Sequence, residues 1–232
     1  MKLLNSNLKL SKASKTLGIT QLGLELLPHT LGSNISTCSF STPDCRKACL
    51  VNSGHGQYTN VLKARQARTD LFHKDNIEFV KLLVNEINYY KNIYKNLTIR
   101  PNVFSEIQWK DIKYDGKNLF EHCPDVQFLD YCKSSKTPYL NIPNYFTLFS
   151  GQQNTKHIWN KLLQDNKPVA LVFYPVIPDK YDGYGVVNGD EDDYILKYKD
   201  KPVIVGLKYK NSRVKGVNNK ELVKDNNLII KI

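Results

Sequence analysis

Three cysteines within twelve residues are the feature that most constrains this chain. Residues 37–57 read TCSFSTPDCRKACLVNSGHGQ, so Cys38, Cys45 and Cys49 have the spacing C-x6-C-x3-C. The segment lies between a strand-like run and a helical run, and polar residues surround its cysteines, whereas structural thiols usually have apolar core neighbours. Thiolates are soft ligands that suit zinc and iron–sulfur clusters. The loop therefore predicts a metal site.

The number of cysteines favours a cluster over zinc. A closed zinc site takes four ligands, and His55 would complete the set as C-x6-C-x3-C-x5-H. The pairs of cysteines two residues apart that are typical of zinc ribbons are absent from the sequence. A [4Fe-4S] cluster with one open iron needs only three protein ligands, and we prefer it to [2Fe-2S]. Cys123 and Cys132 are alternatives for a fourth ligand, but their apolar neighbours favour buried thiols.

Cysteine number and hydropathy indicate the compartment. The five cysteines are an odd number, and no secretion signal accompanies them, so a disulfide framework is not expected. No stretch approaches the ~20 apolar residues of a membrane span. We expect a cytoplasmic protein that does not enter a membrane.

The net charge of +11 has two explanations that the sequence leaves open. A basic surface attracts phosphate, which makes nucleic acid a candidate partner. However, only five of the 33 basic residues are Arg, and the lysines are spread along a chain rich in Asn, Ile and Tyr. These residues share AT-rich codons, so genome composition is the alternative explanation.

The pattern of apolar residues predicts a single α/β domain. Residues 1–30 read as short extended pieces, the cysteine loop occupies 30–56, two helices fill about 60–94, a strand-rich part covers 97–210, and 211–232 form a tail. The predicted strands are 97–104, 126–132, 145–150, 169–175, 184–188 and 202–210, with short helices near 119–122 and 155–164. Strands separated by helices favour a mostly parallel sheet, and we predict a partial or degenerate α/β barrel.

Two further groups are candidates for ligand binding. Arg65 and Arg68 lie three residues apart on the helix after the loop, and Arg suits planar recognition of carboxylate or phosphate. A solvated helix face is the alternative. Asp190 and Asp193 belong to the run GDEDD at 189–193, and an acidic loop of this kind can bind a cation or a ribose. A plain solvated turn is the alternative there. No catalytic residue is legible.

The order of several motifs carries a family resemblance. These motifs are Thr37-Cys38, Cys45, Cys49-Leu50, Gly54-His55-Gly56, Ala64-Arg65 with Arg68-Thr69, then Ser105, Glu106 and Trp109, PDVQFLDY at 124–131, Gly189 to Asp193, and Gly206 to Lys208. In this order they resemble the phage and prophage proteins called gene product eighty-eight. The resemblance implies a virus-encoded cluster protein in the cytoplasm of a bacterial host, and it implies no known reaction.

The layout is also similar to the radical S-adenosylmethionine enzymes, in which a three-cysteine loop after the first barrel strand binds a cluster with one open iron. Their usual spacing is C-x3-C-x2-C, which differs from the spacing here. This resemblance implies S-adenosylmethionine as a cofactor, with Arg65 or Arg68 at its carboxylate and an acid of 189–193 at its ribose. The remaining alternatives are a zinc-stabilised nucleic-acid-binding protein and a partner of a host redox protein.

Overall fold

The chain is a mixed α/β protein with a ten-stranded, mostly parallel sheet. The computed structural model describes the backbone of residues 1–232 and all side chains except those of Ser14, Thr16, His55 and Tyr139. The strands are β1 (Leu4–Asn5), β2 (Thr20–Leu24), β3 (Leu97–Arg100), β4 (Gln127–Cys132), β5 (Tyr145–Ser150), β6 (Val169–Tyr174), β7 (Lys180–Tyr181), β8 (Tyr184–Asn188), β9 (Ile204–Lys208) and β10 (Ile229–Lys231). The α-helices are α1 (Leu8–Leu17), α2 (Pro43–Lys47), α3 (Thr59–Lys74), α4 (Asn76–Ile93), α5 (Leu119–His122), α6 (Lys156–Gln164) and α7 (Asn219–Asp225).

The sheet is open. Its strand order is β1-β2-β3-β4-β5-β6-β9-β8-β7. The remaining strand, β10, pairs with β6 and is not part of this order. The β1–β2 and β7–β8 pairs are antiparallel, whereas β2–β3, β3–β4, β5–β6, β6–β9, β8–β9 and β6–β10 are parallel. The predicted mostly parallel α/β class is confirmed. The predicted partial barrel is not shown, because closure requires the end strands to pair and each end here is a two-residue antiparallel strand.

The chain divides into two compact units. Unit 1 contains Met1–Ser39, Tyr58–Asp130 and Asn141–Phe146. Unit 2 contains Phe40–Gln57, Tyr131–Leu140 and Thr147–Ile232. The single domain expected from the sequence stays a prediction. Among the described residues, none of the helices is both long and apolar enough to cross a membrane.

The helices predicted at 60–94 are confirmed as α3 and α4 in unit 1. The Asp75 carboxylate begins α4 by accepting a hydrogen bond from the Glu78 N–H at 2.9 Å. Apolar residues of α4 recur at helical spacing and are buried, so one face of the helix covers the core of unit 1. The aromatic centre of that core is Phe72, Phe79 and Trp109, with ring centroids 5.5–6.3 Å apart.

The extended pieces predicted at 1–30 are only partly correct, because α1 occupies Leu8–Leu17. The Asn7 side chain caps this helix by accepting from the N–H groups of Lys9 and Leu10, each at 3.0 Å. Leu10 and Ala13 are buried, but lysines and serines separate the apolar residues of the segment. The apolar strip is therefore too thin to produce a visible helical period. Extended structure within this range is confirmed for β1 and β2.

The tail predicted at 211–232 is a structural part of unit 2. Strand β10 pairs with the second half of β6, with Ile229 opposite Val172. Because neighbouring side chains of a strand point to opposite faces, Ile229 and Ile230 enter different apolar clusters. Ile229 packs with Tyr209 and Val223, while Ile230 packs in the cluster of Phe149 and Trp159.

This packing predicts that the two isoleucines stabilise the protein. Ile229→Ala and Ile230→Ala should each lower the free energy of unfolding by about 2–5 kcal/mol, because each removes buried methyl groups and leaves a cavity. Ile232→Ala is the matched control, since Ile232 is 56% exposed. Urea unfolding should show no more than about 0.5 kcal/mol of change in the control. An equal effect in all three variants would contradict the burial of β10.

Candidate functional site

The second cysteine of the loop lies on α2 in unit 2. Thr42 caps this helix, because its Oγ1 accepts a hydrogen bond from the Cys45 N–H at 3.1 Å. Pro43 occupies the first helical position, where its missing N–H costs nothing. The Thr42 hydroxyl also donates to Gln152 Oε1 at 3.0 Å, just beyond β5. Thr42 thus links the helix of Cys45 to Gln152, two residues after the end of β5.

Four more hydrogen bonds hold this segment within unit 2. The Asp44 carboxylate accepts from the N–H of Asn227 at 3.1 Å and from its side chain at 2.9 Å, and the Asp44 carbonyl accepts from Asn226 Nδ2 at 3.0 Å. After the third cysteine, the Asn52 carbonyl accepts from the Arg213 N–H at 2.7 Å. The segment that carries the second and third cysteines is therefore anchored on both sides.

Cys38 lies in unit 1. Its Sγ accepts a hydrogen bond from the His29 N–H at 3.1 Å, and its thiol is 3.4 Å from the Phe104 carbonyl, to which it can donate. The backbone beside it is held to the segment after β3, where the Glu106 N–H donates to the Thr37 carbonyl at 2.8 Å. The sulfur of Cys38 is therefore held between a main-chain donor and a main-chain acceptor.

Burial separates the five cysteines into two groups. The three cysteines of the loop are partly exposed, whereas Cys123 and Cys132 are buried. Burial raises the pKa of the Cys123 thiol to about 11, against a smaller opposite effect of Lys91. Cys123 therefore remains a protonated core thiol at neutral pH. The expected buried environment of the two distant cysteines is confirmed.

The assembled metal site stays a prediction. Across the side chains that the structure describes, no group of three or more His, Cys, Asp or Glu is arranged to hold a metal ion. His55, the fourth ligand of the zinc alternative, lies outside the described side chains. The donor chemistry of the three partly exposed thiols fits a soft metal.

A buried polar network follows β3 and β4 in unit 1. Asp130 of β4 is 1% exposed, and its carboxylate accepts three hydrogen bonds. Asn102 supplies two of them, from its N–H at 3.2 Å and its Nδ2 at 2.8 Å. Tyr145 supplies the third from its hydroxyl at 3.2 Å. All three neighbouring groups donate hydrogen bonds to the carboxyl oxygens, so the geometry accommodates the ionised carboxylate.

Asn102 is the centre of this network, and sequence reasoning missed it. Its Oδ1 accepts from the Ser105 hydroxyl at 2.9 Å, the Ile107 N–H at 2.9 Å and Trp109 Nε1 at 3.2 Å. Two separate motifs of the family resemblance, the one with Ser105 and Trp109 and the one at 124–131, thus meet at one amide. The available signals were a single Asp in the apolar run VQFLDY and an Asn that follows a strand.

The environment of Asp130 perturbs its ionisation. Burial raises the pKa of the carboxyl to about 7, against the opposing effects of Arg100 and of the donors on Asn102 and Tyr145. A buried acid that titrates near neutrality is typical of functional sites, although structural networks also produce it. It lies toward the carboxyl end of a parallel strand, where α/β proteins commonly place their sites.

Arg65 and Arg68 are buried, so their interpretation as a solvated helix face is wrong. Arg65 Nη2 lies 2.9 Å from Glu25 Oε2, and its guanidinium lies 4.3 Å from the centroid of the Phe104 ring. Arg68 donates to the carbonyls of Lys2 at 3.0 Å and Glu25 at 3.3 Å. Burial lowers the pKa of Arg68, with Glu25 opposing. Their predicted role in ligand binding stays a prediction.

The acidic run at 189–193 is bound within unit 2. Asp190 Oδ2 accepts from the Lys208 N–H at 3.2 Å and from Lys210 Nζ at 2.8 Å. Asp193 is 2% exposed and accepts from the Tyr131 hydroxyl at 3.4 Å. A plain solvated turn does not describe Asp193. Binding of a cation or a ribose by this run stays a prediction.

The comparisons with known proteins identify the family. The sequence pattern of the family described as Gene product 88 matches residues 1–223, so the chain belongs to that family. No curated protein and no solved structure matches the chain. The family resemblance seen in the sequence is thus confirmed, and the resemblance to radical S-adenosylmethionine enzymes has no support.

The buried carboxyl predicts a dependence of stability on pH. Because the pKa of Asp130 is raised on folding from 3.8 to about 7, the folded state binds the proton more tightly than the unfolded state. This contribution to stability is complete below about pH 4 and is lost as pH rises to about 7, by at most about 1.4 kcal/mol per pH unit. Tyr145→Phe removes a donor to the carboxylate and should move this loss to higher pH.

Urea unfolding between pH 4 and 8 checks this dependence. Asp125→Asn is the control, since its side chain is 70% exposed and should leave the slope of the wild type unchanged. Asp130→Asn should remove this part of the slope. If Asp130→Asn and Asp125→Asn give the same slope between pH 4 and 7, Asp130 does not titrate as proposed.

The buried pair of Arg65 and Glu25 predicts a separate stability effect. Arg65→Met should lower the free energy of unfolding by about 3–5 kcal/mol, because it leaves the Glu25 charge without its buried partner. Lys91→Met is the control, since its pair with Asp125 is exposed and should be worth at most about 1 kcal/mol. Equal effects in calorimetry or urea unfolding would exclude a structural role for the buried pair.

Proposed function

We propose that the protein binds a [4Fe-4S] cluster through Cys38, Cys45 and Cys49. The observation that carries the proposal is the contrast among the five cysteines: three partly exposed thiols lie within twelve residues, and the other two are in the core. The family resemblance to phage proteins makes the cytoplasm of a bacterial host the expected setting.

The local contacts of the thiols support this assignment. The anchored α2 segment presents Cys45 and Cys49 without a large loss of chain entropy on binding, because Thr42 and Asp44 already order it. Cys38 receives the His29 N–H, and such bonds to sulfur tune the reduction potential of a cluster. The cysteines belong to one short continuous segment, so chain length does not prevent them from sharing a metal.

Within this proposal, an electron-transfer or ligand-binding role is better supported than S-adenosylmethionine chemistry. A bound cluster supplies one-electron transfer, or a Lewis-acidic iron where one position is open. The arginines that would meet a substrate carboxylate already bind Glu25 and main-chain carbonyls in the interior. A host redox protein is accordingly the partner that we propose for an electron-transfer role. Zinc at the same thiols is the alternative cofactor.

Removal of single thiols tests the proposal. After anaerobic expression and purification, the wild type should be brown, absorb near 400 nm and contain about four iron and four sulfide per chain. Cys38→Ser, Cys45→Ser and Cys49→Ser should each lose most of this iron, because each removes a ligand. Metal analysis and the absorption spectrum are the measurements.

Cys123→Ser and Cys132→Ser are the matched controls. Both remove a cysteine from the same chain, and both should keep the iron and the spectrum of the wild type. A colourless protein with one zinc per chain would contradict the cluster and would show that zinc is the bound metal. Equal iron loss in the controls and in the loop variants would contradict the assignment of Cys38, Cys45 and Cys49 as the cluster ligands.

A further inference from the structure

A basic segment of unit 2 contacts the part of the cysteine loop that follows the third cysteine. Between residues 208 and 220 the chain has five cationic residues and no acidic residue. All five are exposed, and they are Lys208, Lys210, Arg213, Lys215 and Lys220. Lys210 pairs with Asp190, whereas no ion pair of the other four occurs within the described part of the chain. A local excess of positive charge of this kind attracts phosphate.

The structure joins this segment to the cysteine loop. The Arg213 N–H donates to the Asn52 carbonyl, three residues after Cys49. Ala48, the residue before Cys49, packs in the apolar cluster that contains Tyr209. The exposed side chains of Arg46 and Lys47 on α2 extend the basic surface on the side of the loop.

Within residues 40–57, the part of the loop that belongs to unit 2, two large apolar side chains are exposed. Phe40 is 44% exposed, and the next residue, Ser41, accepts a hydrogen bond from Arg46 Nη1 at 2.8 Å through its carbonyl. Leu50 is 50% exposed and immediately follows Cys49. An exposed aromatic ring beside cations is the combination with which proteins hold unpaired bases, since the ring stacks on a base while the cations contact phosphates.

We propose that this surface, made of Phe40, Arg46, Lys47, Leu50 and residues 208–220, binds single-stranded nucleic acid. Single strands fit better than a duplex, because stacking on Phe40 needs an unpaired base. In addition, the five-residue α2 is too short to span a major groove. The proposal goes beyond cluster binding and does not depend on it.

Fluorescence anisotropy with a labelled 20-nucleotide single strand of mixed sequence tests the proposal. The wild type should bind at ~50 mM salt, and its affinity should fall steeply as salt rises. The surface variant replaces four cations by Gln: Lys208, Arg213, Lys215 and Lys220. It should bind at least tenfold more weakly, and the slope of log affinity against log salt should fall by roughly 3, since each phosphate contact contributes about 0.7.

A charge-matched variant provides the control. It replaces four exposed lysines of unit 1 by Gln: Lys63, Lys95, Lys113 and Lys117. It removes the same charge and should keep the affinity and salt slope of the wild type. Phe40→Ala should weaken binding about fivefold or more through loss of stacking and should leave the salt slope unchanged.

Several outcomes would overturn the proposal. These are no binding at ~50 mM salt, equal losses in the surface and control variants, tighter binding of the matching duplex, and binding to anionic lipid vesicles that is stronger than binding to the strand. Measuring both iron content and strand affinity of the Cys38→Ser variant distinguishes this proposal from the proposal of cluster binding. If this variant loses iron but keeps the affinity for the strand, both proposals are supported. If the wild type holds iron but does not bind the strand, only the surface proposal fails.

Discussion

Burial of the Asp130 carboxylate is the constraint on which the interior of unit 1 depends. An unpaired charge in a protein interior costs several kcal/mol, so the neighbouring chain must supply donors. Asn102 meets this need with two donors and uses its own carbonyl oxygen to order the segment from Ser105 to Trp109. That segment carries Glu106, whose backbone in turn holds the residue before Cys38. One buried charge thus organises the surroundings of the first cysteine.

In unit 2 the cysteine loop is ordered by a different means. Side chains at the loop itself cap α2 and accept from the last residues of the chain, so that the segment needs no disulfide to keep its shape. The tail that supplies Asn226 and Asn227 is itself fixed through β10, which is apolar on both faces. The C-terminal residues are therefore part of the support of the cysteines, although their sequence looks like a polar tail.

The same loop combines features that suit two functions. Its thiols are partly exposed and fit a soft metal, and its surface presents cations and exposed apolar side chains. The net charge of +11 alone did not favour a particular face, because the lysines are spread along the chain. The hydrogen bond between Asn52 and Arg213 brings the basic segment at 208–220 to the chain just after Cys49.

Local patterns in the sequence were sufficient to predict α3, α4 and the central strands, because an apolar period of 3.6 or 2 residues reports directly which face is buried. The three cysteines and the family membership were also legible from local motifs. The tertiary structure decided the rest: α1 with its thin apolar strip, the open sheet, β10, and the burial of Arg65 and Arg68. These features depend on partners distant in the chain, as Glu25 is for Arg65 and Asn102 is for Asp130. Such pairings leave no periodic signal, because each joins residues that are far apart in the chain and meet only in the folded protein.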